Sequence, residues 1–155
     1  MKSAAFLAIA LLALAAGAQA PTRVDYRSSQ DIDSTLTTLL AQSQSAGYAS
    51  AKQFDSGSHS LALSVRTKSG GGEIHAHFDD IMIVVDGSAT ELTGGSVIDA
   101  QTGADGETRG SSVSGGTPHP LAKGDIIHIL AGTPHQMIVV PGASIRYIVV
   151  KIREP

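Results

Sequence analysis

Short apolar runs separated by turn residues fill the chain from residue 59 to residue 152, and they constrain its fold more than any other feature. The run over residues 59–66 alternates apolar and polar side chains, the pattern of a strand that is buried on one face. Further strands are predicted over residues 81–85, 88–92, 126–130, 136–140 and 144–152. Many short strands joined by Gly- and Pro-containing turns indicate an all-β sandwich or barrel.

The dipeptide Asp86-Gly87 lies between the first two of these later runs. Asp-Gly is a preferred sequence for the tight turn of a β-hairpin. We therefore predict that the chain reverses at Asp86-Gly87 and that residues 88–92 pair with residues 81–85.

A helical pattern covers residues 28–46. Apolar side chains recur at i, i+4, i+7 and i+8 from Ile32, which places them on one face of a helix. Ser28 or Ser29 can cap its start and Gly47 can end it. We expect an amphipathic helix that covers one face of the sheet.

Residues 93–123 differ from their surroundings because they are rich in Gly, Ser and Thr and poor in large apolar side chains. We interpret them as a long excursion between barrel strands, either a mobile surface loop or a lid over the barrel mouth. Short apolar stretches at its two ends can still form strands. Glu107 and Arg109, within the excursion, are expected to be solvated.

The N-terminus has the layout of a secretory signal peptide. Lys2 supplies a positive charge, residues 4–16 are apolar, and small residues follow up to Ala20. The apolar run is too short to span a bilayer, although an uncleaved anchor remains an alternative. We predict cleavage after Ala18, or alternatively after Ala20, and a secreted or periplasmic protein without stable membrane association.

Removal of residues 1–18 leaves two regions. Residues 19–54 form an N-terminal extension that contains the helix, and residues 55–155 form the barrel. The chain has no Cys, which excludes disulfides and thiolate metal ligands. A net charge of −3 supplies no basic field for nucleic acid, so nucleic-acid binding is not expected.

Two histidines, His75 and His77, are separated by one residue. On a strand, side chains at i and i+2 point to the same face, so the two imidazoles would converge and could share an ion. Acidic residues follow at Asp79 and Asp80. An isolated H-x-H is weak support for a metal site, but a third His occurs in a second patterned segment.

That segment begins at Gly124-Asp125 and ends at Gly132-Thr133-Pro134-His135. It resembles the second motif of the cupin family, G-D-x4-P-x-G-x2-H, with Leu130 at the usual Pro position. The first cupin motif reads G-x5-H-x-H, a short spacer, E, about six residues and G. Residues 70–87 resemble this motif, with His75 and His77 as its histidines and Gly87 as its last glycine.

The resemblance spans roughly residues 55–152 and implies a double-stranded β-helix barrel. It implies that His75, His77 and His135 point inward and bind a divalent metal. Alignment on Gly87 places Asp80 at the position of the family Glu, with a spacer one residue shorter than usual. Asp79 could substitute for Asp80, or the three histidines could act with solvent alone.

Imidazole suits Zn, Cu, Fe, Ni, Co or Mn, and a carboxylate shifts the preference towards Fe or Mn. Three or four protein ligands leave coordination positions open for a substrate. His119, between two prolines in the excursion, is a candidate acid or base for catalysis.

Two functions remain open at this point. The first is an exported metal-dependent enzyme acting on a small oxygen-rich molecule, with dioxygenase, lyase or isomerase chemistry. The second is a non-catalytic cupin module that binds a metal or small ligand. The resemblance also implies a homodimer, since cupin barrels often pair by exchanging edge strands.

Overall fold

The computed structural model describes residues 24–155, so the predicted signal peptide lies outside the described residues. Within this range the chain forms one helix, α1 (Ser29–Ala46), and twelve strands. The strands are β1 (Tyr48–Asp55), β2 (His59–Arg66), β3 (Gly72–His75), β4 (Phe78–Thr93), β5 (Ser96–Ile98), β6 (Gln101–Thr102), β7 (Glu107–Gly110), β8 (Ser112–Ser114), β9 (Thr117–Ala122), β10 (Ile126–Ile129), β11 (His135–Ile138) and β12 (Ile145–Arg153).

Two antiparallel layers face each other and share β4. The first layer has the order β1-β2-β12-β4-β10, and it uses the first half of β4. The second layer has the order β9-β4-β11-β3-β7-β6, and it uses the second half of β4. The small ribbon β5-β8 lies outside these layers. The expectation of an all-β barrel with one helix is confirmed.

The predicted hairpin at Asp86-Gly87 is wrong, because β4 runs without reversal from Phe78 to Thr93. At this point β4 bends from one layer into the other. Its register with β12 skips Val85, which forms a bulge, and bulges bend strands. Gly87 has a φ of 80°, and a Cβ there would meet the carbonyl oxygen of Ser144 at 2.0 Å. The Asp-Gly signal therefore marks a bend within a strand.

The bulge also changes which side chains face the interior. Before it, Met82 and Val84 belong to the core between the layers, whereas Val85 packs towards α1. After it, Glu91 is fully buried and faces the same interior. Even-numbered positions before the bulge and odd-numbered positions after it thus share one face.

The helix packs on the outer face of the first layer, as its pattern predicts. Leu36 and Leu39 form a buried cluster with Leu63 and Val65 of β2. Ser28 caps the helix, since its hydroxyl accepts the backbone N–H of Asp31. No helix of residues 24–155 is long and apolar enough to cross a membrane.

Structure extends beyond the predicted barrel boundaries. β1 lies in residues 19–54, assigned to the extension, but it pairs with β2 along its length. The excursion of residues 93–123 contains the expected short strands β5 and β8, and also β9, which pairs with β4 over six positions. Its β7 pairs with β3, so the excursion forms part of the barrel wall.

Candidate metal centre

Glu73, His75 and His135 form a group that could hold a metal ion. Glu73 and His75 are two positions apart on β3 and therefore share a face. His135, the first residue of β11, pairs directly with Glu73. One ligand atom from each side chain lies within 4.8 Å of the others, and both imidazoles are buried.

Asp80 lies beside this group at the start of β4. Its Oδ2 atom is 3.4 Å from Nε2 of His75, and the residue is buried. Lys151 of β12 contacts the other oxygen, with Nζ 2.6 Å from Oδ1. Burial acts to raise the pKa of Asp80, but His75 and Lys151 together hold it below its ordinary value. Asp80 is therefore a carboxylate at neutral pH.

The structure does not bring His77 into this group. β3 ends at His75, so His77 lies in the bend that follows and is exposed. The i, i+2 rule that predicted convergence of His75 and His77 applies only within a strand. His77 lies at the edge of the cavity, close to Gly106 of the excursion.

The Nδ1 atoms of both buried imidazoles are held by oxygen acceptors. His75 Nδ1 is hydrogen-bonded to Oε2 of Glu107, and His135 Nδ1 lies 3.0 Å from the carbonyl oxygen of Thr133. For His135 the contact assigns the proton to Nδ1 and leaves Nε2 with a free lone pair, whereas both nitrogens of His75 face carboxylates, so its Nε2 is free for a metal only in the neutral form. This is how the imidazole ligands of metals are oriented in proteins.

The two imidazoles differ in their electrostatic surroundings. Burial acts to lower the pKa of His75, but hydrogen bonds to Asp80 and Glu107 raise it above its ordinary value. Burial lowers the pKa of His135, with its hydrogen bond to Thr133 opposing this change. His135 is thus kept neutral, whereas His75 lies among carboxylates that would also attract a cation.

The group opens into a cavity of about 680 Å³ between the two layers. This is the size of a small-ligand pocket. Its charged and polar lining includes Tyr48, Arg66, Glu73, His75, His77, Asp80, Glu91, Asp105, Glu107, Arg109, His135, Gln136, Tyr147, Lys151 and Arg153.

Other candidates from the sequence lie elsewhere. His119 is on β9, where its Nε2 lies 2.9 Å from Oγ1 of Thr93, and it is not among the residues that line the cavity. Asp79 accepts the backbone N–H of Ala131 and contacts His128, so both of its oxygens have partners. Neither residue contributes an atom to the metal group.

Glu107 is only partly exposed and lies at the site, contrary to the expectation that it is solvated, whereas Arg109 is exposed as expected but still lies at the rim of the site. Besides the contact with His75, β7 brings Nη1 of Arg109 to 3.0 Å from Oε1 of Glu73. No periodic pattern marks these residues, because β7 is a four-residue strand inside a Gly-rich segment.

No protein-family model matches the chain, and no curated protein is significantly similar to it. Solved structures do match. The cupin domain of Cnp3 from Schizosaccharomyces pombe has a TM-score of 0.52 at 9% identity, covering 69% of this chain and 61% of that one. A double-stranded β-helix protein from Klebsiella pneumoniae has a TM-score of 0.51 at 14% identity, covering 68% and 76%. The chain has the cupin fold.

KdgF from a Halomonas species has the same fold, with a TM-score of 0.51 at 14% identity and coverage of 70% of this chain and 82% of that one. Among the similar structures, the share of the other chain that is covered ranges from 46% to 87%. This chain therefore spans less than two thirds of the length of some of them. At these identities the likeness establishes the fold alone.

The cupin fold allows the first motif to be aligned on the structure. With Glu73 and His75 in the H-x-H positions, four residues separate His75 from Asp80, and six separate Asp80 from Gly87. The short spacer of the His75-His77 alignment then disappears. The spacing to Asp80 and Gly87 favours Glu73 and His75 at the H-x-H positions. The presence of His77 instead favours His75 and His77, which shifts the alignment by two residues.

The donor set fits a divalent transition metal. Two imidazole nitrogens and carboxylates meet in a buried, partly enclosed position, and both imidazoles have anchored Nδ1 atoms. Mixed imidazole and carboxylate ligands suit Fe or Mn and also accept Zn, Ni, Co or Cu. Glu73, His75 and His135 would hold the ion, and Asp80 lies in position to complete its coordination.

Proposed function

We propose that this protein is an exported, metal-dependent cupin enzyme that acts on a small oxygen-rich molecule. The observation that carries the proposal is the convergence of Glu73, His75 and His135 at the wall of a cavity of about 680 Å³. A structural metal site would be closed by protein ligands, whereas a site that faces a cavity can accept a substrate.

The residues of the cavity suit an oxygen-rich substrate. Arg109 and Lys151 lie beside the carboxylates Glu73 and Asp80, and they can donate hydrogen bonds to substrate oxygens. A bound metal would supply Lewis-acid activation of a coordinated carbonyl or hydroxyl group. Lyase and isomerase chemistry use such activation, and dioxygenase chemistry needs in addition a redox-active ion such as Fe or Mn, so the reaction class is part of the proposal to be tested.

Metal content tests the first half of the proposal. Purified wild-type protein should bind about one equivalent of Zn²⁺ or Mn²⁺ by calorimetry and elemental analysis, whereas His75→Ala and His135→Ala should bind little. His59→Ala is the matched control, because the His59 side chain is exposed and, within residues 24–155, hydrogen-bonds only Ser56 and Ser58. Equal metal content in the wild type and both site variants would contradict the metal centre.

Turnover tests the second half. The metal-loaded protein should consume dioxygen with diketones or catechols, or convert hydroxy acids with a change in ultraviolet absorbance or optical rotation. His75→Ala should abolish that activity and His59→Ala should retain it.

Non-catalytic binding is the second candidate function. Each carboxylate at the metal group already has a cation, Arg109 for Glu73 and Lys151 for Asp80. Such a balanced site could retain a small ligand without converting it. Stoichiometric binding of metal or acid with no turnover of any of these substrates would favour this candidate.

Export and dimerisation belong to the same proposal. The signal-like residues 1–18 support export, and cell fractionation with N-terminal sequencing should yield a mature chain beginning at Gln19, or alternatively at Pro21. Cupin barrels often pair through edge strands, and β10, which pairs only with β4 among the described strands, leaves such an edge. Light scattering should then give twice the mass of the mature chain.

A further inference from the structure

A second polar group lies in the same cavity, away from the metal group. Arg66 is on β2 in the first layer, and Glu91 is on the second half of β4 in the opposite layer. Both side chains line the cavity, and Glu91 is fully buried. They belong to opposite walls, so a molecule in the cavity would lie between them.

Each side chain has buried polar atoms that the protein leaves unpaired. Both oxygens of Glu91 and Nε of Arg66 are buried without a hydrogen-bond partner in residues 24–155. Arg66 forms no ion pair in this part of the chain; its guanidinium stacks on the ring of Tyr48 at 4.4 Å and approaches the hydroxyl of Tyr147. Buried polar atoms are nearly always paired, so this cluster of unpaired donors and acceptors indicates a place for a ligand.

Glu91 carries a proton at neutral pH and can therefore donate a hydrogen bond. Burial raises its pKa to about 8, against the positive charge of Arg66. The negative charges of Glu73 and Asp80 act in the same direction as burial. Arg66 and Glu91 thus offer the cavity a permanent cation beside a neutral acid, a combination that attracts an anionic oxygen group.

The position relative to the metal group follows from the strand register. His135 pairs with Thr93 of β4, and Glu91 is two residues earlier on the same face. Two residues of a strand span about 7 Å. A small molecule can therefore reach both the metal group and Glu91.

We propose that Arg66 and Glu91 form a subsite for a carboxylate group of the substrate. The proposal rests on the function proposed above and specifies it: the substrate is a small acid whose other end carries oxygen ligands for the metal. The guanidinium fork donates to the carboxylate oxygens, and the protonated Glu91 donates a further hydrogen bond. Hydroxy acids and keto acids with a second carboxylate have this arrangement.

Malate binding tests the subsite, with glycerol as a neutral comparison. Wild-type protein loaded with Zn²⁺ should bind malate more tightly than glycerol by calorimetry. Arg66→Met and Glu91→Ala should each lower malate affinity by about tenfold or more, because a charged or buried hydrogen-bond donor is lost. Both variants should bind Zn²⁺ like the wild type.

Arg146→Met is the matched control. Arg146 also has a buried Nε without a hydrogen-bond partner, although Asp86 lies 3.8 Å from it, and Arg146 does not line the cavity, so malate affinity should not change. Arg66→Lys provides a second variant that retains the charge without the fork, and it should recover only part of the affinity. Circular dichroism checks that each variant is folded.

The outcomes separate the two proposals. The subsite is wrong if folded Arg66→Met and Arg66→Lys bind malate as tightly as the wild type does. It is also wrong if the wild type binds malate no more tightly than glycerol. Either result leaves the metal centre intact. If the wild type does not bind Zn²⁺, the metal centre is wrong. The subsite would still be supported in that case if malate binding to the metal-free protein depended on Arg66.

Discussion

Glu107 accepts the Nδ1 hydrogen of His75 across 32 positions of the chain. This contact ties the Gly-rich excursion to the metal group, since Glu107 lies on β7 and β7 pairs with β3. The excursion is thus neither a detached loop nor only a cover. It supplies the residue that sets the tautomer and orientation of a candidate ligand.

Replacing Glu107 should therefore weaken the metal site without removing a ligand. We expect Glu107→Ala to lower affinity for Zn²⁺ by roughly 10–100-fold, the usual cost of losing such a partner. Competition with a chromogenic chelator measures this change. Asp86→Ala, which removes an exposed carboxylate elsewhere on the barrel, is the control and should bind like the wild type. Unchanged affinity in Glu107→Ala would mean that His75 needs no such support.

The choice between Glu73 and His77 as a ligand gives a second prediction. Glu73→Ala should lower affinity for Zn²⁺ by more than about tenfold, because it removes a ligand. Loss of a residue that only supports a ligand costs about tenfold or more. His77→Ala should leave affinity unchanged, since His77 is exposed and outside the group. The same chelator competition compares the two. A loss of affinity in His77→Ala with none in Glu73→Ala would instead support His75 and His77 as the pair of ligands.

Much of the fold could be predicted from local patterns. The alternation of residues 59–66 matches β2 at both ends, and the periodicity from Ile32 matches α1 to within one residue. These elements are regular and pack one apolar face on a single partner. β7 and β9 were missed because they are short, carry polar or Pro residues and gain their register from β3 and β4.

The site was less predictable, for a different reason. His75 and His135 were found because their spacing matches a motif, and the structure brings both together with Asp80. Glu73, Glu107 and Glu91 were not found. Glu73 fits the motif spacing once β3 is known to end at His75, whereas the roles of Glu107 and Glu91 depend on where strands pair and bend. Strand ends are set by tertiary pairing, which local pattern does not encode.

The bend of β4 at Gly87 gives a prediction about stability. Gly87→Ala places a Cβ 2.0 Å from the carbonyl oxygen of Ser144 in a left-handed backbone conformation. Gly142→Ala has nearly the same φ, 86°, but nothing within 4 Å of the Cβ. We expect Gly142→Ala to cost about 1–2 kcal/mol from φ alone.

Gly87→Ala should cost more than this, because the backbone must also move. Urea unfolding monitored by circular dichroism gives both free energies of unfolding. Equal costs for the two variants would indicate that the contact with Ser144 is easily relieved.

Glu91 makes the stability of the protein depend on pH. Its carboxyl keeps a proton in the folded state up to a pKa of about 8, whereas the unfolded chain releases it near the ordinary value of 4.5. Between these values the folded state binds more protons, so the free energy of unfolding falls as pH rises. The slope from this one group is about 1.4 kcal/mol per pH unit.

Glu91→Gln removes this contribution, because an amide resembles the protonated acid and does not titrate. The variant should gain stability over the wild type as pH rises from 5 towards 8, and the two should differ least at acid pH. Urea titrations of both proteins across this range measure the difference. A constant difference at every pH would show that Glu91 ionises in the same way in both states.

The bulge at Val85 has a consequence for how this chain can vary in length. Asp80 and Glu91 are an odd number of positions apart, yet both face the cavity, because the bulge adds one unpaired residue between them. Deleting or inserting a single residue in this stretch would turn one of the two carboxyls out of the cavity. Homologous sequences that preserve both groups should therefore differ in length between them only by even numbers of residues. The position of the bulge along the strand can differ, provided that one unpaired residue remains.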